Sequence, residues 1–274
     1  MAKEHVQKER ADLLVVRQGL SDSREKAKRL IMAGQVYNEH QERIDKAGEK
    51  IPVTSQLEIK GETLPYVSRG GFKLEKARQE FHLDFQGKNV LDIGSSTGGF
   101  TDVALQNGAC HSYALDVGTN QLAWKIRSDE RVTVMEQTNF RYSKLEDFQE
   151  GQPDLATIDV SFISLGLILP PLHAILKTGG QVIALIKPQF EAGKDKVGKK
   201  GIVRDKKVHQ EVIEEVFEKA VALGYRIESL TYSPITGGTG NIEFLCLMTR
   251  QEEGSYADYL DIAQVIEEAH QQFD

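Results

Sequence analysis

The chain has 274 residues, of which 40% are hydrophobic and 27% are charged, and its formal net charge is −7 at pH 7. This composition is that of a soluble globular protein with room for one large and one small domain. No run reaches the roughly 20 apolar residues of a membrane-spanning helix, and the polar stretch Met1 to Arg10 has no signal-peptide core. The two cysteines lack the spacing of metal ligands, and we predict that they are reduced and structural. We therefore expect a cytoplasmic protein without a metal site or stable membrane association.

Positive charge is concentrated near the N-terminus. Residues 1–60 contain 12 Lys and Arg against 10 Asp and Glu, whereas the remainder contains 22 against 31. Local patches decide contact with nucleic acids more than the overall charge does. The negative net charge therefore does not exclude a nucleic-acid partner.

Residues 1–61 are predicted to form a small α/β domain. Apolar residues at helical spacing indicate one helix over Lys8–Gln18 and a second over Ser23–Ala33, which Gly34 ends. Two short strands follow, Gln35–Tyr37 and Leu57–Ile59. Residues 62–66 form the predicted linker.

Residues 67–250 are predicted to form the second domain. A helix over Lys73–Phe81 precedes five strand candidates with helical segments between most of them: 89–93, 111–116, 132–136, 155–159 and 181–187. This alternation predicts an α/β domain with a doubly wound, mostly parallel sheet. The stretches 226–233 and 242–249 predict an antiparallel hairpin at the sheet edge. Residues 251–274 are predicted to form an acidic C-terminal helix, with Tyr256–Phe273 as its helical part.

A glycine-rich turn follows the first strand of this sheet, in the run Val90-Leu91-Asp92-Ile93-Gly94-Ser95-Ser96-Thr97-Gly98-Gly99-Phe100-Thr101. Gly94 and Gly98 allow the backbone to bend sharply and approach a ligand. Asp116 ends the second strand, where an acid can bind a ribose through its hydroxyls. The alternative is that the glycines only form a strand–helix turn in some other doubly wound protein.

The type of nucleotide follows from what the turn lacks. Ser96 breaks the dinucleotide pattern, and the Walker lysine is absent. An acid before the first glycine and an acid at the end of strand two resemble the class I S-adenosylmethionine fold. We expect Asp92 and Gly94 at the methionine part, Asp116 at the ribose and Asn139 beside the adenine. The full set of predicted cofactor residues is Asp92, Gly94, Ser95, Ser96, Gly98, Gly99, Phe100, Asp116, Val117 and Asn139.

Four charged residues are expected to meet at one edge of the sheet: Lys73, Asp159, Lys187 and Glu243. Three of them interrupt apolar strand-like runs, where a charge is costly unless it is paired. A lysine whose pKa is lowered by desolvation and by a second cation can deprotonate a weakly nucleophilic hydroxyl. We therefore predict methylation of a ribose hydroxyl, with Lys187 as the base and Lys73 as the second cation, which also holds the sugar–phosphate. Asp159 and Glu243 orient the lysines and the hydroxyl.

Four motifs carry a resemblance to a known family: Tyr66 to Leu74, Asp92 to Asp102, Lys187 to Glu191 and Gly240 to Phe244. In this combination and order the sequence resembles the TlyA family, within the FtsJ-like ribose 2′-O-methyltransferases. The resemblance implies the catalytic tetrad Lys73, Asp159, Lys187 and Glu243. It also implies S-adenosylmethionine as cofactor and cytidine ribose in ribosomal RNA, naked or in ribosomal subunits, as substrate. Members of the family are often labelled haemolysins.

The resemblance also implies that the N-terminal module is a small RNA-binding domain. Its basic residues are predicted to neutralise phosphates, as are Arg69 and four lysines of the Gly- and Lys-rich loop after Lys187. The predicted RNA-binding residues are Arg10, Arg17, Arg24, Lys26, Lys28, Arg29, Arg69, Lys194, Lys196, Lys199 and Lys200. The alternative for each run is a solvated surface.

Two further functions stay open at this point, a membrane-active haemolysin-like protein and a non-catalytic RNA-binding factor that kept the fold. The sequence gives neither the modified nucleotide nor the oligomeric state.

Overall fold

The computed structural model describes residues 7–32, 34–40, 42–44, 46–60, 65–198 and 200–273. The chain divides into two compact units, Met1–Thr63 and Leu64–Asp274. The division falls within the predicted linker, residues 62–66, of which 62–64 lie outside the described ranges.

The first unit combines two helices with two small antiparallel sheets. Its elements are β1 (Lys8–Arg10), α1 (Ala11–Arg17), α2 (Arg24–Met32), β2 (Val36–Asn38), β3 (Lys50–Pro52) and β4 (Leu57–Ile59). Strand β1 pairs with β3, and β2 pairs with β4. Apolar side chains from both helices and from strands β2, β3 and β4 form one core cluster. The two predicted helices supply six of the ten buried residues in that cluster, Ala11, Leu14, Val15, Ala27, Leu30 and Ile31.

The predicted helix over Lys8–Gln18 is wrong at its start. Lys8–Arg10 forms strand β1, which pairs with Lys50–Pro52, and the helix begins at Ala11. Helical periodicity reports only neighbours along the chain, so it does not reveal a partner strand about 40 residues away. For the same reason β3 was not predicted.

The second unit is built on one eight-stranded sheet. Its strands are β5 (Asn89–Ile93), β6 (His111–Leu115), β7 (Val132–Met135), β8 (Leu155–Ile158), β9 (Gln181–Ile186), β10 (Tyr225–Tyr232), β11 (Phe244–Arg250) and β12 (Ser255–Tyr256). Its helices are α3 (Gly71–Glu80), α4 (Gly99–Gln106), α5 (Trp124–Arg127), α6 (Leu169–Ile175), α7 (Pro188–Glu191), α8 (Lys206–Ala222) and α9 (Ile262–Phe273).

The strand order is β12-β10-β11-β9-β8-β5-β6-β7. Strands β5 to β9 run parallel to their neighbours within this group, and β11 is antiparallel to both β9 and β10. The predicted α/β class, the mostly parallel sheet and the antiparallel pairing of β10 with β11 are therefore confirmed, but the edge of the sheet is β12 and not this hairpin. The order changes direction between β5 and β8, which is the position where open α/β sheets bind ligands.

Helices cover both faces of the sheet. Alternate residues of a strand point to opposite faces, and here Leu91 and Ile93 belong to one core cluster whereas Val90 belongs to the other. Helices α6, α8 and α9 contribute to the first cluster, and α3 and α4 to the second. Because β5 is buried along its whole length, the sequence shows that it is central but not which residues face which layer.

The predicted C-terminal helix over Tyr256–Phe273 is too long. Ser255 and Tyr256 form β12, which extends the sheet parallel to β10, and the helix begins only at Ile262. The Tyr256 ring packs edge-on against Phe217 of α8, so a tertiary contact overrides the helical reading. In the part of the chain that the structure describes, no helix is long and apolar enough to span a membrane.

Candidate active site

A sharp, glycine-rich turn joins β5 to α4. Gly94 and Gly98 have φ angles of 84° and 95°, and Ser96 between them has a φ of 48°. Glycine adopts such angles without steric cost. A Cβ atom at Gly94 would also collide with the main-chain carbonyl of Asp159. The glycine therefore allows the turn after β5 to lie directly against the residue that follows β8.

Asp116 lies beside this turn, immediately after β6. Its Oδ2 accepts a hydrogen bond from the backbone N–H of Ser96 at 2.8 Å, and its Oδ1 accepts one from Gly118 at 2.7 Å. Val117 is 71% exposed, so the carboxylate is fixed at an open edge. Each carboxylate oxygen accepts more than one hydrogen bond. The side chain therefore fits its predicted role toward ribose hydroxyls.

Asp92 is buried rather than placed at that edge. Its Oδ2 accepts hydrogen bonds from the backbone N–H and the hydroxyl of Thr101, and its Oδ1 accepts one from the Thr157 hydroxyl at 2.9 Å. The expectation that Asp92 lines the methionine part of a cofactor therefore needs correction. The carboxylate links β5, α4 and β8 and so helps to hold the glycine turn between β5 and α4.

Asp92 makes the stability of the protein depend on pH. Burial raises its pKa from 3.8 to about 6, although the threonine hydrogen bonds oppose the change. The Asp92 carboxyl group loses its proton at a lower pH in the unfolded chain than in the folded protein. Its contribution to the free energy of unfolding therefore falls as the pH rises from about 4 through 6. We expect wild type to lose about 2 kcal/mol relative to Asp92→Asn between pH 4.5 and pH 7.5.

Urea unfolding of both proteins at the two pH values measures this difference, because titrations shared by wild type and variant cancel. A difference that stays constant or grows in favour of wild type would contradict the assignment.

Three other predicted cofactor residues serve packing inside the protein. A Cβ atom at Gly98 would lie 2.9 Å from the Leu122 side chain, and one at Gly99 would collide with the Ser68 hydroxyl. Phe100 is 4% exposed and belongs to the core cluster under α3 and α4. These positions are therefore explained by the fit of α4 against its neighbours.

Two remaining cofactor predictions also have local structural roles. Ser95 is 6% exposed, and its backbone N–H donates to the carbonyl of Leu115 at 3.0 Å. The side-chain oxygen of Asn139 accepts a hydrogen bond from the Arg141 N–H at 3.2 Å and caps a short 3-10 helix. Among the predicted cofactor residues, the open edge consists of Ser96, Asp116 and Val117, with Gly94 beneath them.

Glu136, which the sequence reading missed, supports the same edge. It directly follows β7 and accepts hydrogen bonds from the backbone N–H groups of Asn120 and Gln121 at 2.8 and 3.1 Å, and from Arg127 at 2.5 Å. The Arg127 hydrogen bond, with the backbone donors, lowers the Glu136 pKa to about 2 against the opposing effect of burial. The acid thus fixes the loop that follows Asp116. An acid at the end of the third strand was the available signal.

The four predicted catalytic residues come from four elements of one unit. Asp159 follows β8, Lys187 follows β9 and Lys73 lies in the first turn of α3. Glu243 precedes β11, whose first residue, Phe244, is paired with the last residue of the antiparallel strand β9. This register brings the start of β11 to the carboxyl end of β9, where Lys187 stands.

The side chains of these residues form a continuous chain of opposite charges, which we call the tetrad. The Lys73 Nζ lies 2.7 Å from Oε2 of Glu243 and 3.6 Å from Oδ2 of Asp159, and the other oxygen of Asp159 lies 2.5 Å from the Lys187 Nζ. The order in space is therefore Glu243, Lys73, Asp159, Lys187. The structure brings all four residues together as predicted.

The side chains of the tetrad are largely buried, with 10% of Lys73 and 9% of Lys187 exposed, and Asp159 is the most open member. The side chain of Glu243 is 3% exposed, whereas that of Asp159 is 21% exposed. Burial by itself lowers the Lys73 pKa, but the charges of Asp159 and Glu243 outweigh it and the pKa is raised. Lys73 is therefore held as a cation at neutral pH, which leaves Lys187 as the candidate base.

Three residues beside the tetrad were not identified from the sequence. The hydroxyl of Ser161 lies 3.2 Å from the Lys187 Nζ, and the Gln189 amide donates to Oε1 of Glu243 at 3.3 Å. Phe162 is 89% exposed with a φ of 63°, and its ring lies 4.8 Å from that of Phe190. A bulky residue rarely adopts such a φ, and no feature of the sequence indicates it.

The family profile of the FtsJ-like methyltransferases matches residues 66–250, which include the turn and the whole tetrad. The chain belongs to the FtsJ-like methyltransferase family. The Bacillus subtilis protein YqxC is 58% identical over 266 residues, which cover 96% of this chain and 94% of that one.

The Mycobacterium tuberculosis protein named 16S/23S rRNA (cytidine-2′-O)-methyltransferase TlyA is 39% identical over 255 residues, covering 93% of this chain and 95% of that one. A solved Streptococcus thermophilus structure that bears a hemolysin label is 54% identical, covers 98% of each chain and has a TM-score of 0.78. The similarity to TlyA proteins is confirmed, and the haemolysin label recurs among similar chains.

Several predicted RNA-binding residues of the first unit are occupied by internal contacts. Arg10 and Arg24 both bind Asp12, whose side chain is fully buried. Arg17 lies 3.3 Å from Glu9, and Lys26 lies 3.4 Å from Asp22. Arg10 and Arg24 therefore hold a buried charge of the unit itself, whereas the Lys26–Asp22 pair is exposed and weak and does not withdraw Lys26 from an RNA backbone.

Lys28 and Arg29 are exposed, and they form no ion pair with any described residue. They are the better candidates for phosphate contact in this unit. Arg69, in the second unit, is likewise exposed.

The Gly- and Lys-rich loop between α7 and α8 is described only in part. Lys199 and the side chain of Lys194 lie outside the described part of the structure, and Lys200 is exposed. Lys196 lies 2.6 Å from Glu211 of α8, with both side chains half exposed. Exposed ion pairs are weak, so this contact does not withdraw Lys196 from an RNA backbone.

Proposed function

We propose that this protein transfers the methyl group of S-adenosylmethionine to the ribose 2′-hydroxyl of a cytidine in ribosomal RNA. The observation that carries the proposal is the tetrad, two ammonium groups alternating with two carboxylates beside the glycine turn. The M. tuberculosis relative is named as a methyltransferase of cytidine 2′-hydroxyls in 16S and 23S rRNA, which supports cytidine in ribosomal RNA as the substrate. Its partner is then ribosomal RNA or a ribosomal subunit, and its compartment is the cytoplasm.

The open edge of the turn fits S-adenosylmethionine. Asp116 presents a fixed carboxylate for the ribose hydroxyls, and Gly94 and Ser96 form the turn beside it. When bound, S-adenosylmethionine supplies a methyl group already activated by the positive sulfur. The remaining task of the protein is to orient a hydroxyl and accept its proton.

The tetrad divides that task among its members. Lys187, at the end of the chain of charges, takes the proton from the 2′-hydroxyl in its neutral amine form. Lys73 stays protonated between Glu243 and Asp159 and offers a positive charge to the sugar–phosphate. Asp159 binds both lysines, so it fixes the distance between the base and the cation.

An aromatic surface beside Lys187 supports a nucleotide substrate. The exposed Phe162 ring and the neighbouring Phe190 ring lie next to each other, and the Lys187 Nζ is 5.9 Å from the centre of the Phe190 ring. Nucleobases stack on exposed aromatic rings. An unpaired base resting there would bring its own ribose near the lysine.

The assignment of Asp116 predicts a selective loss of cofactor affinity. Asp116→Ala removes the carboxylate at the open edge, and we expect S-adenosylmethionine affinity to fall about 10- to 100-fold, the size of losing one or two hydrogen bonds to a charged group. Isothermal titration measures the affinity. Asp84→Ala, an exposed acid of the same unit, is the control and should bind like wild type.

The lysines of the loop after α7 are predicted to bind RNA backbone. Replacing Lys196 and Lys200 with glutamine should reduce the slope of log affinity against log salt by about 1.5 to 2, because two phosphate contacts are lost. Filter binding to ribosomal RNA at several salt concentrations measures it. A matched pair, Lys177→Gln with Lys88→Gln, removes the same charge elsewhere, and an equal change in both pairs would contradict the assignment.

The proposed activity is tested with radiolabelled S-adenosylmethionine and ribosomal subunits or protein-free ribosomal RNA that lack the modification. Label should appear in RNA and survive alkaline hydrolysis as a resistant dinucleotide containing cytidine, since only 2′-O-methylation blocks cleavage at that position. Label on a base, or none on any RNA with cofactor bound, would refute ribose methylation. Cofactor binding also separates this proposal from a non-catalytic RNA-binding factor.

A further inference from the structure

Gln189, the second residue of α7, contacts Glu243, the most buried member of the tetrad. Its amide nitrogen donates to Oε1 of Glu243 at 3.3 Å, while Lys73 binds Oε2 at 2.7 Å. Each oxygen of Glu243 therefore has one side-chain donor, one charged and one neutral. Gly237 packs against the same carboxylate, since a Cβ atom at this position would lie 2.6 Å from Oε1 of Glu243.

Gln189 is uncharged, and the charges of the tetrad beside it already sum to zero. The ionisable groups that meet here are Lys73 from α3, Asp159 after β8, Lys187 after β9 and Glu243 before β11. They amount to two positive and two negative charges. One further acid, Asp92 in β5, interacts electrostatically with Asp159. A third charged carboxylate in the tetrad would hold protons on both lysines more firmly.

The carbonyl oxygen of the Gln189 amide lacks a hydrogen-bond donor in the described part of the chain. This oxygen, Oε1, is buried. An unpaired buried carbonyl destabilises a fold, so the glutamine carries a cost that its hydrogen bond to Glu243 must offset. Methionine has a similar length and no carbonyl, but it would leave Oε1 of Glu243 without this donor.

We propose that Gln189 is a positioning residue that holds Glu243 with an uncharged donor and so keeps the negative charges beside the two lysines at two. The inference rests on the proposed function, in which Lys187 must release a proton before it can accept one from the ribose. A neutral donor fixes Glu243 without making that release harder. Glutamate has the same shape, but its carboxyl group would lie beside that of Glu243, so the site gains a negative charge at pH values where both are ionised.

The test compares Gln189→Glu with Gln189→Met in single-turnover methyl transfer measured across pH. The midpoint of the rate increase with pH should move upward by about one unit or more in Gln189→Glu, as expected for an added charge a few ångströms away. In Gln189→Met the rate should fall roughly tenfold, the range of one lost hydrogen bond to a charged group, with a much smaller change of midpoint. S-adenosylmethionine affinity should stay within twofold of wild type in both.

A second measurement needs no RNA. Brief labelling with acetic anhydride at a series of pH values, followed by mass spectrometry, reports how readily each lysine amine loses its proton. The midpoint for Lys187 should rise in Gln189→Glu, and that of Lys177, at the opposite end of β9 and paired with Asp154, should not. Thermal unfolding verifies that each variant is folded, and Gln189→Met, which adds no charge, tests the positioning role if Gln189→Glu is unfolded.

The outcomes separate the two proposals. Unchanged rate, pH midpoint and labelling in the folded variants would overturn the role of Gln189 while leaving RNA methylation intact. A shifted Lys187 labelling midpoint in a protein that methylates no RNA would support the charge argument and reject the proposed function.

Discussion

Replacing Lys187 with methionine should abolish most methyl transfer and leave the rest of the protein intact. We expect the rate to fall by about 10²- to 10⁴-fold, the contribution of a positioned general base. The affinity for S-adenosylmethionine should be nearly unchanged, because the polar partners of the Lys187 ammonium group among the described residues, Asp159 and Ser161, do not belong to the glycine turn. Single-turnover assays and isothermal titration measure the two quantities.

The fold should tolerate this change. Asp159 keeps Lys73 as a cation partner at 3.6 Å and is 21% exposed, so no buried charge loses its only partner. Methionine preserves the apolar part of the lysine side chain. Lys177→Met is the matched control, since Lys177 also pairs with one carboxylate, Asp154, at 2.6 Å but stands at the other end of β9. If Lys187→Met retains turnover comparable to that control, Lys187 is not the base.

The sequence located most of the tetrad because three of its members adjoin strands. Asp159 and Lys187 each follow an apolar run that forms a parallel strand, and the carboxyl ends of parallel strands share one edge. Their meeting could therefore be predicted without knowing any contact. Lys73 and Glu243 are 170 residues apart, and their pairing depends on the antiparallel register of β11 with β9. The sequence therefore placed both residues in the cluster, as the family motifs did, without showing that the two side chains bind each other.

The side-chain direction of Asp92 could not be read from the sequence. Strand β5 is buried on both faces, so it has no polar alternation to assign inward and outward residues. In the structure Asp92 lies on the α4 side and bonds to Thr101. The same limit applies to Gly99 and Phe100, which read as ligand contacts in the motif and pack against the protein. The position of Glu136 at a strand end was visible in the sequence, but its hydrogen-bond partners in the loop before β7 were not, because they are 15 and 16 residues away.

Lys73 should behave differently from Lys187 because its removal leaves a buried charge without a cation. Glu243 is 3% exposed, and Lys73 is its only cationic partner among the described residues. Breaking a buried ion pair by removing one member typically costs about 3–5 kcal/mol. We therefore expect Lys73→Met to lower the free energy of unfolding by that amount and to abolish methyl transfer. Urea unfolding at neutral pH measures the stability.

The companion double variant, Lys73→Met with Glu243→Gln, distinguishes charge from packing. Glutamine keeps the shape of Glu243 and still offers Oε1 to the Gln189 amide, but it carries no charge that needs a cation. We expect the double variant to regain about half or more of the lost stability and to stay inactive, because the second cation of the tetrad is still missing. A double variant as unstable as the single one would show that Lys73 contributes through packing. Recovery of activity together with stability would show that the positive charge of Lys73 has no part in the reaction.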